Sequence, residues 1–294
     1  METNYLTDLM LPVSLAIIML GMGLSLTLAD FKRVVLYPKA VAVGFVNQII
    51  FLPLVGFLLI YLLGLDNVEL AVGIMILAAC PGGPTSNLIS HISRGDTALS
   101  ITMTAISSMV AIITIPLIVN ISLSHFLQIG EYVPLPVFET IIKLTLITLF
   151  PVAIGMFIRS KAQKFANKMD KPVKIVSGIL LFLIIFAAIN TNRDIFVQSF
   201  RDVGPTALTL NLFMLIVGYL TARLFRLNVT QSITISIETG IQNGTLGILI
   251  ASTLLHNDVM AISPAIYSLI MFATAGFIIA WMNLRFRGQR LVVR

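Results

Sequence analysis

The sequence contains few charged residues and very few of the side chains that bind transition metals. Only 11% of its 294 residues are charged and 57% are hydrophobic, whereas soluble domains average roughly 25% charged residues. One cysteine, Cys80, excludes an intramolecular disulfide and a cysteine-cluster metal site, and three histidines make a histidine site unfavourable. The chain is therefore predicted to be a membrane protein, and no nucleic-acid partner is expected despite its net charge of +6.

Long apolar runs occupy most of the chain. A helix of about 20 apolar residues crosses a bilayer, and nine such runs cover 9–29, 38–63, 68–93, 96–124, 133–158, 172–191, 203–224, 229–254 and 259–283. The sequence therefore predicts an all-α polytopic protein with nine transmembrane helices and no extramembrane domain. The N-terminus lacks the basic region of a cleaved signal peptide, which favours a retained first crossing.

The basic residues are unevenly distributed over the connections between these runs. Alternate connections, starting with the one after the first run, hold sixteen of the nineteen basic residues. By the positive-inside rule, that side is cytoplasmic. We therefore expect a multi-pass protein of the cell (inner) membrane with its N-terminus outside and its C-terminus in the cytoplasm.

One hydrophilic segment of some length, 159–174, divides the chain. Spans before and after it carry similar small and polar residues but run in opposite directions, as an inverted repeat of four plus five spans requires. Residues 1–158 then hold the four spans of the first repeat and the first span of the second. Residues 159–174 form a basic cytoplasmic connection, and 175–294 hold the remaining four spans of the second repeat.

Two apolar runs contain segments that cannot sustain a helix. Residues 80–87 read CPGGPTSN, in which proline lacks an N–H and glycine costs backbone entropy. Residues 238–245 read ETGIQNGT and place an acidic side chain near the centre of a span. Unwound backbone at membrane depth is tolerated only against protein or a watery cavity. Both helices are therefore predicted to break.

Glu238 has no obvious cationic neighbour in the sequence. A lone ionised carboxylate at the centre of a membrane helix costs roughly 2.5 to 3.5 kcal/mol on insertion scales, so a positive partner is expected close to it. Lys143 is expected to pair with Glu139, because the two are four residues apart on one helix. The alternative is that Lys143 reaches Glu238, in which case no other cation is required there.

The other polar groups inside the spans offer oxygen atoms. Gln48 supplies an amide oxygen, and hydroxyls share one face of the run 96–124, namely Thr97, Ser100, Thr104, Ser107 and Ser108. Oxygen ligands without a dense carboxylate cluster suit a monovalent cation such as Na⁺. The half-helix after each break begins with free N–H groups that attract an anion. Adjacent cation and anion sites are typical of secondary transporters with inverted repeats.

Two motifs carry a resemblance to a known family. Pro-Gly-Gly-x-x-Ser-Asn at 81–87 and Glu-x-Gly-x-Gln-Asn at 238–243 resemble the bile acid:sodium symporter family, and the likeness covers nearly the whole chain. The resemblance implies a panel domain and a core domain, with two discontinuous helices that cross in the core beside two Na⁺ ions. The nine spans look like those of members that lack the first helix of ten-span relatives.

The resemblance also implies the sodium ligands. The first ion would be held by Ser86, Asn87, Ser100, Thr104 and Glu238. The second would be held by Gln48, Glu238 and Gln242, with the backbone oxygens of Thr239 and Ile241.

The implied activity is sodium-driven symport of an organic anion, bile-acid-like or a small carboxylate, into the cytoplasm, without enzymatic activity. Thr85 and Asn243 are the substrate candidates. Pro84 departs from the family's usual threonine, so a substrate contact at that position would not carry over. Three alternatives remain. One is a related arsenite exporter that uses Cys80, and another is an intramembrane enzyme, which needs a base or metal ligands near Glu238. The third is a non-transporting receptor or scaffold, which would have little use for two broken helices rich in ion donors. The oligomeric state is open, and a monomer is compatible with the sequence.

Overall fold

The computed structural model describes residues 9–128, 130, 132–191 and 193–285. Within these residues the regular secondary structure is entirely helical. This confirms the all-α class, because a chain in a bilayer satisfies its backbone hydrogen bonds most simply within helices.

The described helices follow one another with short connections. In chain order they are α1 (Leu11–Ser25), α2 (Leu28–Leu36), α3 (Pro38–Leu62), α4 (Val68–Ala79), α5 (Pro84–Ile92), α6 (Thr97–Phe126), α7 (Val137–Lys161), α8 (Gln163–Thr191), α9 (Arg193–Leu224), α10 (Val229–Gly240), α11 (Gly244–Leu249) and α12 (Asp258–Arg285). Three π-helical turns lie wholly within the described residues: Asn47–Phe51 within α3, Thr145–Leu149 within α7, and Ile250–Leu254 directly after α11.

The described helices support six to eight membrane spans. Six are long and apolar enough by themselves: α3, α6, α7, α8, α9 and α12. Two further spans are found if α1 with α2, bent by 70°, and α4 with α5, bent by 66°, each count as one. The run predicted at 229–254 forms α10 and α11 and does not add a span by this test. The number nine therefore stays a prediction.

Two boundaries differ from the sequence reading. The first run was expected at 9–29, but α1 ends at Ser25 and a separate helix, α2, begins at Leu28. The backbone N–H and hydroxyl of Thr27 donate to the carboxylate of Asp30, at 2.8 and 2.6 Å, which caps the new helix. The basic segment 159–174 is helical except at Ala162, because α7 extends to Lys161 and α8 begins at Gln163.

The helices pack in two groups. In the smaller group, α1 lies against α7 and α8. Gly23 and Gly155 bring the backbones of α1 and α7 together, since a Cβ at Gly23 would lie 2.2 Å from the carbonyl oxygen of Val152. In the larger group, α4 packs on α6 and α12, and α9 packs on α10 and α12. Both broken helices belong to the larger group.

Candidate functional site

Both helix breaks predicted from the sequence are present. In the first, α4 ends at Ala79, and the backbone is extended at Cys80 and again at Gly83. Pro84 then occupies the first turn of α5, where its missing N–H removes no helical hydrogen bond. The prolines and glycines thus leave four residues unwound between two half-helices.

The second break touches the first. α10 ends at Gly240, and the side chain of Asn243 caps α11 by accepting the N–H of Leu246 at 3.1 Å. The backbone N–H of Asn243 donates to the carbonyl of Pro81 at 2.9 Å. A backbone hydrogen bond therefore joins the two unwound segments directly.

Glu238 lies beside this contact and is fully buried, with 0% of its surface exposed. Its Oε1 accepts hydrogen bonds from the hydroxyls of Ser86 and Ser100, at 2.7 and 2.5 Å, and its Oε2 accepts from Thr104 at 2.8 Å. The side-chain oxygen of Asn87 lies 2.8 Å from the Ser100 hydroxyl and 3.1 Å from that of Thr104. The structure thus brings together all five side chains predicted for the first sodium ion.

This cluster has more acceptors than protons. A hydroxyl donates one proton and offers two lone pairs. Ser86 contacts the carbonyl of Gly83 at 2.7 Å as well as Glu238, and Ser100 and Thr104 each contact Asn87 as well as Glu238. Three protons therefore serve a carboxylate, an amide oxygen and a backbone carbonyl. An oxygen-rich, proton-poor cluster of this kind fits a small hard cation.

Among the described residues, no charged side chain forms an ion pair with Glu238. In the part of the chain that the structure describes, the ion pairs found involve Asp30, Glu139, Asp170 and Asp194. The Nζ of Lys143 lies 2.7 Å from the carboxylate of Glu139, and both side chains are about half exposed. The predicted pairing of Lys143 is therefore confirmed. The described residues also contain no group of three or more histidine, cysteine, aspartate or glutamate side chains suited to a metal ion.

The groups predicted for the second sodium ion adjoin the first cluster. The Nε2 of Gln48 lies 3.4 Å from the Oε1 of Gln242, whose Nε2 donates to the carbonyl of Thr239 at 2.7 Å. The Oε1 of Gln48 is buried and has no hydrogen-bond partner in the described structure. Gly82 lies between the two clusters and lets them approach each other, since a Cβ there would lie 2.7 Å from Glu238 Oε2 and 3.4 Å from Gln48 Nε2.

The fifth predicted donor of this second set, Ile241, lies in the break itself. Its backbone is extended, with φ −101° and ψ 108°, and its N–H donates to the carbonyl of Ile237 at 2.8 Å. Ile241 therefore follows directly on the last turn of α10, beside Thr239 and Gln242.

Sequence reasoning did not single out the residues that support the second break. The carbonyl of Gly240 accepts from the Nδ2 of Asn211 and from the hydroxyl of Tyr267, both at 2.8 Å. The Oδ1 of Asn211 in turn accepts from the hydroxyl of Thr274 at 2.7 Å. The asparagine could have been noticed, because this residue is unusual in an apolar run. A tyrosine in such a run is usually interpreted as a packing residue.

A cavity of about 630 Å³ lies between the two helix groups. Thr85 and Asn243, the two substrate candidates, both line it at the breaks. Ser25, His91 and Lys174 line it toward the end that the sequence predicts to be cytoplasmic. The part of the wall that α8 contributes is mainly apolar and includes Val173, Leu181, Phe182, Ile185, Phe186 and Ile189. Asn87, Gln242 and Thr245 add polar groups beside the breaks.

The cysteine and histidine side chains that the alternative functions require do not contact Glu238 in the described structure. Cys80 is 1% exposed, and its thiol donates to the carbonyl of Ile76 at 3.2 Å and is not part of the large cavity wall. His91 and His125 lie in the last turns of α5 and α6, and His256 lies between α11 and α12. In the described structure, the hydrogen bonds found for Glu238 involve hydroxyls and no histidine.

Comparison with known proteins identifies the family. The profile of the Sodium Bile acid symporter family matches residues 12–199, well over half of the chain. The chain is 32% identical over 256 residues to the uncharacterized sodium-dependent transporter YocS of Bacillus subtilis (strain 168), an alignment that covers 87% of this chain and 77% of YocS.

Two eukaryotic relatives show similar identity. The probable sodium/metabolite cotransporter BASS1 of Arabidopsis thaliana, a chloroplastic protein, is 32% identical over 268 residues, which cover 90% of this chain and 64% of BASS1. Sodium/bile acid cotransporter 4 of Mus musculus is 31% identical over 289 residues, which cover 93% of this chain and 63% of the relative. This chain thus spans less than two thirds of these two longer proteins. Because the profile covers most of the chain and relatives match almost all of it, the chain belongs to the Sodium Bile acid symporter family.

Proposed function

We propose that this chain is a sodium-coupled symporter that carries an organic anion together with two Na⁺ ions into the cytoplasm by alternating access. Family membership supports sodium coupling, since the names of the relatives describe a sodium-dependent transporter, a sodium/metabolite cotransporter and a sodium/bile acid cotransporter. The names differ in the solute, so the family leaves the substrate of this chain open.

One observation carries the proposal: a fully buried carboxylate whose three hydrogen-bond partners are hydroxyls shared with other acceptors. A sodium ion at this point would use the free lone pairs of the hydroxyls and the charge of the carboxylate. We assign the first ion to the cluster around Glu238, that is, Ser86, Asn87, Ser100 and Thr104. We assign the second ion to the donors that adjoin this cluster, namely Gln48, Glu238, Gln242 and the backbone oxygens of Thr239 and Ile241.

The cavity beside the breaks is the proposed solute site. Asn87 and Gln242 belong to the two proposed sodium sites and also line the cavity, so an ion that orders either side chain also shapes the solute site. Thr85 and Asn243 offer polar contacts to an anionic group, while the apolar wall suits the body of the solute. The favoured substrate class is therefore a carboxylate with an apolar body.

The two helix groups provide moving parts for alternating access. We propose that α1, α7 and α8 form the panel and that the larger group forms the core, and that inverted repeats of four and five spans relate the two halves of the chain. Rocking of one group against the other would expose the cavity to each side in turn. Since the cavity reaches the predicted cytoplasmic end at Lys174, this conformation would release the solute inward.

The decisive experiment measures stabilisation of the purified protein by sodium, with potassium or choline as the reference cation. A ligand specific to the native state stabilises it by about 2.7 kcal/mol at 100 times its dissociation constant. We expect a sodium-specific rise in melting temperature in the parent protein and none in Glu238→Gln, because both proposed ions contact this carboxylate. Glu139→Gln is the matched control, since it removes a carboxylate whose partner is the exposed Lys143, and it should keep the full response.

The same assay can identify the solute. Carboxylates of increasing apolar size are added with and without sodium, and those that stabilise only with sodium are tested for uptake into vesicles. A sodium response in Glu238→Gln equal to that of the parent would contradict the assigned sites. Uptake by the folded protein that ignores an imposed sodium gradient would contradict sodium coupling itself.

A further inference from the structure

Helix α2 has an outward face that is apolar. It is bent 70° away from α1. Phe31 and Val34 pack against the core, whereas Leu28, Val35 and Leu36 are 75%, 82% and 69% exposed. Exposed apolar side chains on a helix that turns away from the spanning direction are typical of a helix lying in the membrane surface.

α2 also connects the two helix groups. The hydroxyl of Thr102 in α6 donates to the carbonyl of Asp30 at 2.9 Å, which ties α2 to the larger group. Just before α2, the hydroxyl of Ser25 donates to the carboxylate of Asp170 in α8 at 3.0 Å, and Arg159 of α7 donates to the carbonyl of Leu24 at 2.8 Å. Since α2 connects α1 to α3 along the chain, a ligand that holds α2 acts on a connection between the two helix groups.

Six exposed lysines lie in α2, directly after it, or at the ends of α7 and α8 that contact Ser25 and Leu24. We call them the basic collar: Lys32, Lys39, Lys161, Lys164, Lys168 and Lys171. All six are exposed, and in the described residues none of them makes an ion pair. Those at 164, 168 and 171 share one face of α8 because they are four and three residues apart. The two acidic residues here, Asp30 and Asp170, are already paired with Arg33 and Lys174.

The collar and α2 together define a partner. The exposed apolar face of α2 would be buried by a hydrocarbon surface. The six lysine charges, which no described acidic residue neutralises, would be neutralised by anions at the edge of that surface. A bilayer surface rich in anionic headgroups supplies both, whereas a zwitterionic surface supplies only the first.

We propose that α2 lies in the bilayer surface and that the basic collar binds the headgroups of anionic phospholipids. Leu28, Val35 and Leu36 enter the upper acyl region, and Lys32 reaches the phosphates from within this face. The bound lipids hold the connection between the two helix groups at a fixed depth. This proposal does not rest on sodium binding or on the identity of the solute.

The test measures lipid binding to the full chain. Detergent-purified protein is titrated with phosphatidylglycerol or phosphatidylcholine, and retained lipids are counted by native mass spectrometry while melting temperature is recorded. We expect phosphatidylglycerol to bind more tightly and to stabilise more, and 0.5 M salt to weaken this preference through screening. Each lysine near an anionic surface contributes roughly fivefold in affinity, so Lys32→Gln with Lys168→Gln should weaken phosphatidylglycerol binding about 25-fold.

The control removes the same number of charges from the start of α9, on the side that the sequence predicts to be outside. Arg193→Gln with Arg201→Gln should keep the preference for phosphatidylglycerol, because both residues lie at the start of α9. Equal loss in both double variants would overturn the proposal, as would equal binding of the two lipids by the parent protein. Stabilisation by inorganic phosphate alone would also overturn it in favour of a simple anion site.

A second variant tests the apolar face separately. Val35→Ser with Leu36→Ser should weaken both lipids alike and leave the ratio between them unchanged. If it changes the ratio while leaving phosphatidylcholine binding intact, α2 does not lie in the bilayer surface. Because these side chains are exposed, the substitutions remove no buried packing.

Discussion

The polar atoms around Glu238 are arranged so that each of them could bind a cation more favourably than it binds its present partners alone. A hydrogen bond to a charged group contributes roughly 1.5 to 3 kcal/mol, and Glu238 receives such bonds from Ser86, Ser100 and Thr104. Each of these hydroxyls still has lone pairs available for a metal ion. Gly82 keeps the carboxylate close to Gln48, since a Cβ there would lie 2.7 Å from Glu238 Oε2. One charge can therefore serve two adjacent ions.

Gln48→Leu tests the second proposed ion site independently of the first. The Oε1 of Gln48 is buried without a partner in the described structure, and its Nε2 makes a long contact of 3.4 Å with Gln242. Replacement by an apolar side chain should therefore change stability without sodium by less than about 1 kcal/mol. With sodium at 100 times its dissociation constant, the variant should lose one of two increments of about 2.7 kcal/mol. Melting temperature measured across a sodium titration checks this, and the Glu238 site should still respond.

The neighbouring amide is the control for that variant. Asn47 is also buried, but its Nδ2 donates to the hydroxyl of Thr221 at 2.7 Å rather than facing the breaks. Asn47→Leu should therefore destabilise the protein with and without sodium and keep both increments. A full sodium response in Gln48→Leu would mean that its amide holds no ion.

At the scale of elements, the second broken helix is held open by side chains from two other helices. The unwound end at Gly240 would leave its carbonyl without a helical partner, and Asn211 of α9 and Tyr267 of α12 fill this role. All three groups are buried, and a buried carbonyl without a partner costs roughly 1 to 3 kcal/mol. The position of the break therefore depends on packing between α9, α10 and α12.

Tyr267→Phe should lower stability by about 1 kcal/mol, because it removes one of two hydrogen bonds to the Gly240 carbonyl. Asn211→Leu should cost more, since it also removes the partner of Thr274. The double variant should cost more than the sum, because each single variant leaves the buried Gly240 carbonyl one donor and the double variant leaves it none. Thermal melting of the four proteins measures this coupling.

Thr206→Val is the matched control on α9. The hydroxyl of Thr206 is buried and has no partner in the described structure, so its loss should be neutral or stabilising. Strict additivity of Tyr267→Phe and Asn211→Leu would show that the two side chains do not act on one carbonyl.

The elements that could be predicted from the sequence are those set by local chemistry. Proline and glycine at 81–84 prevent a continuous helix whatever surrounds them, and the break is found there. The pair of Glu139 and Lys143 follows from helical spacing alone. The roles of Asn211 and Tyr267 depend on which helices become neighbours, and no local pattern carries that information. The bend before α2 was missed because Leu26 and Leu28 continue the apolar run, and the capping role of Thr27 becomes visible only with the Asp30 contact.

At the scale of the whole molecule, the two helix groups meet across one large cavity whose wall includes atoms of both breaks. Binding of ions at the breaks and of a solute in the cavity would therefore be coupled through shared side chains, Asn87 and Gln242. By linkage, a solute that binds better with sodium must also raise the affinity for sodium by the same factor.

Transport by the proposed stoichiometry should move net charge. Two Na⁺ ions with one monoanion carry one positive charge per cycle, and a charge crossing the membrane gains about 2.3 kcal/mol per 100 mV, or roughly 50-fold in accumulation because 1.4 kcal/mol is tenfold. The experiment uses vesicles with a carboxylate-free interior and a fixed sodium gradient. With a potassium diffusion potential of 100 mV, negative inside, they should accumulate a stabilising monocarboxylate about 50-fold more than vesicles clamped at zero potential. Accumulation that depends on sodium but ignores the potential would mean one ion per solute, and the donor set around Gln48 would then lose its assigned role.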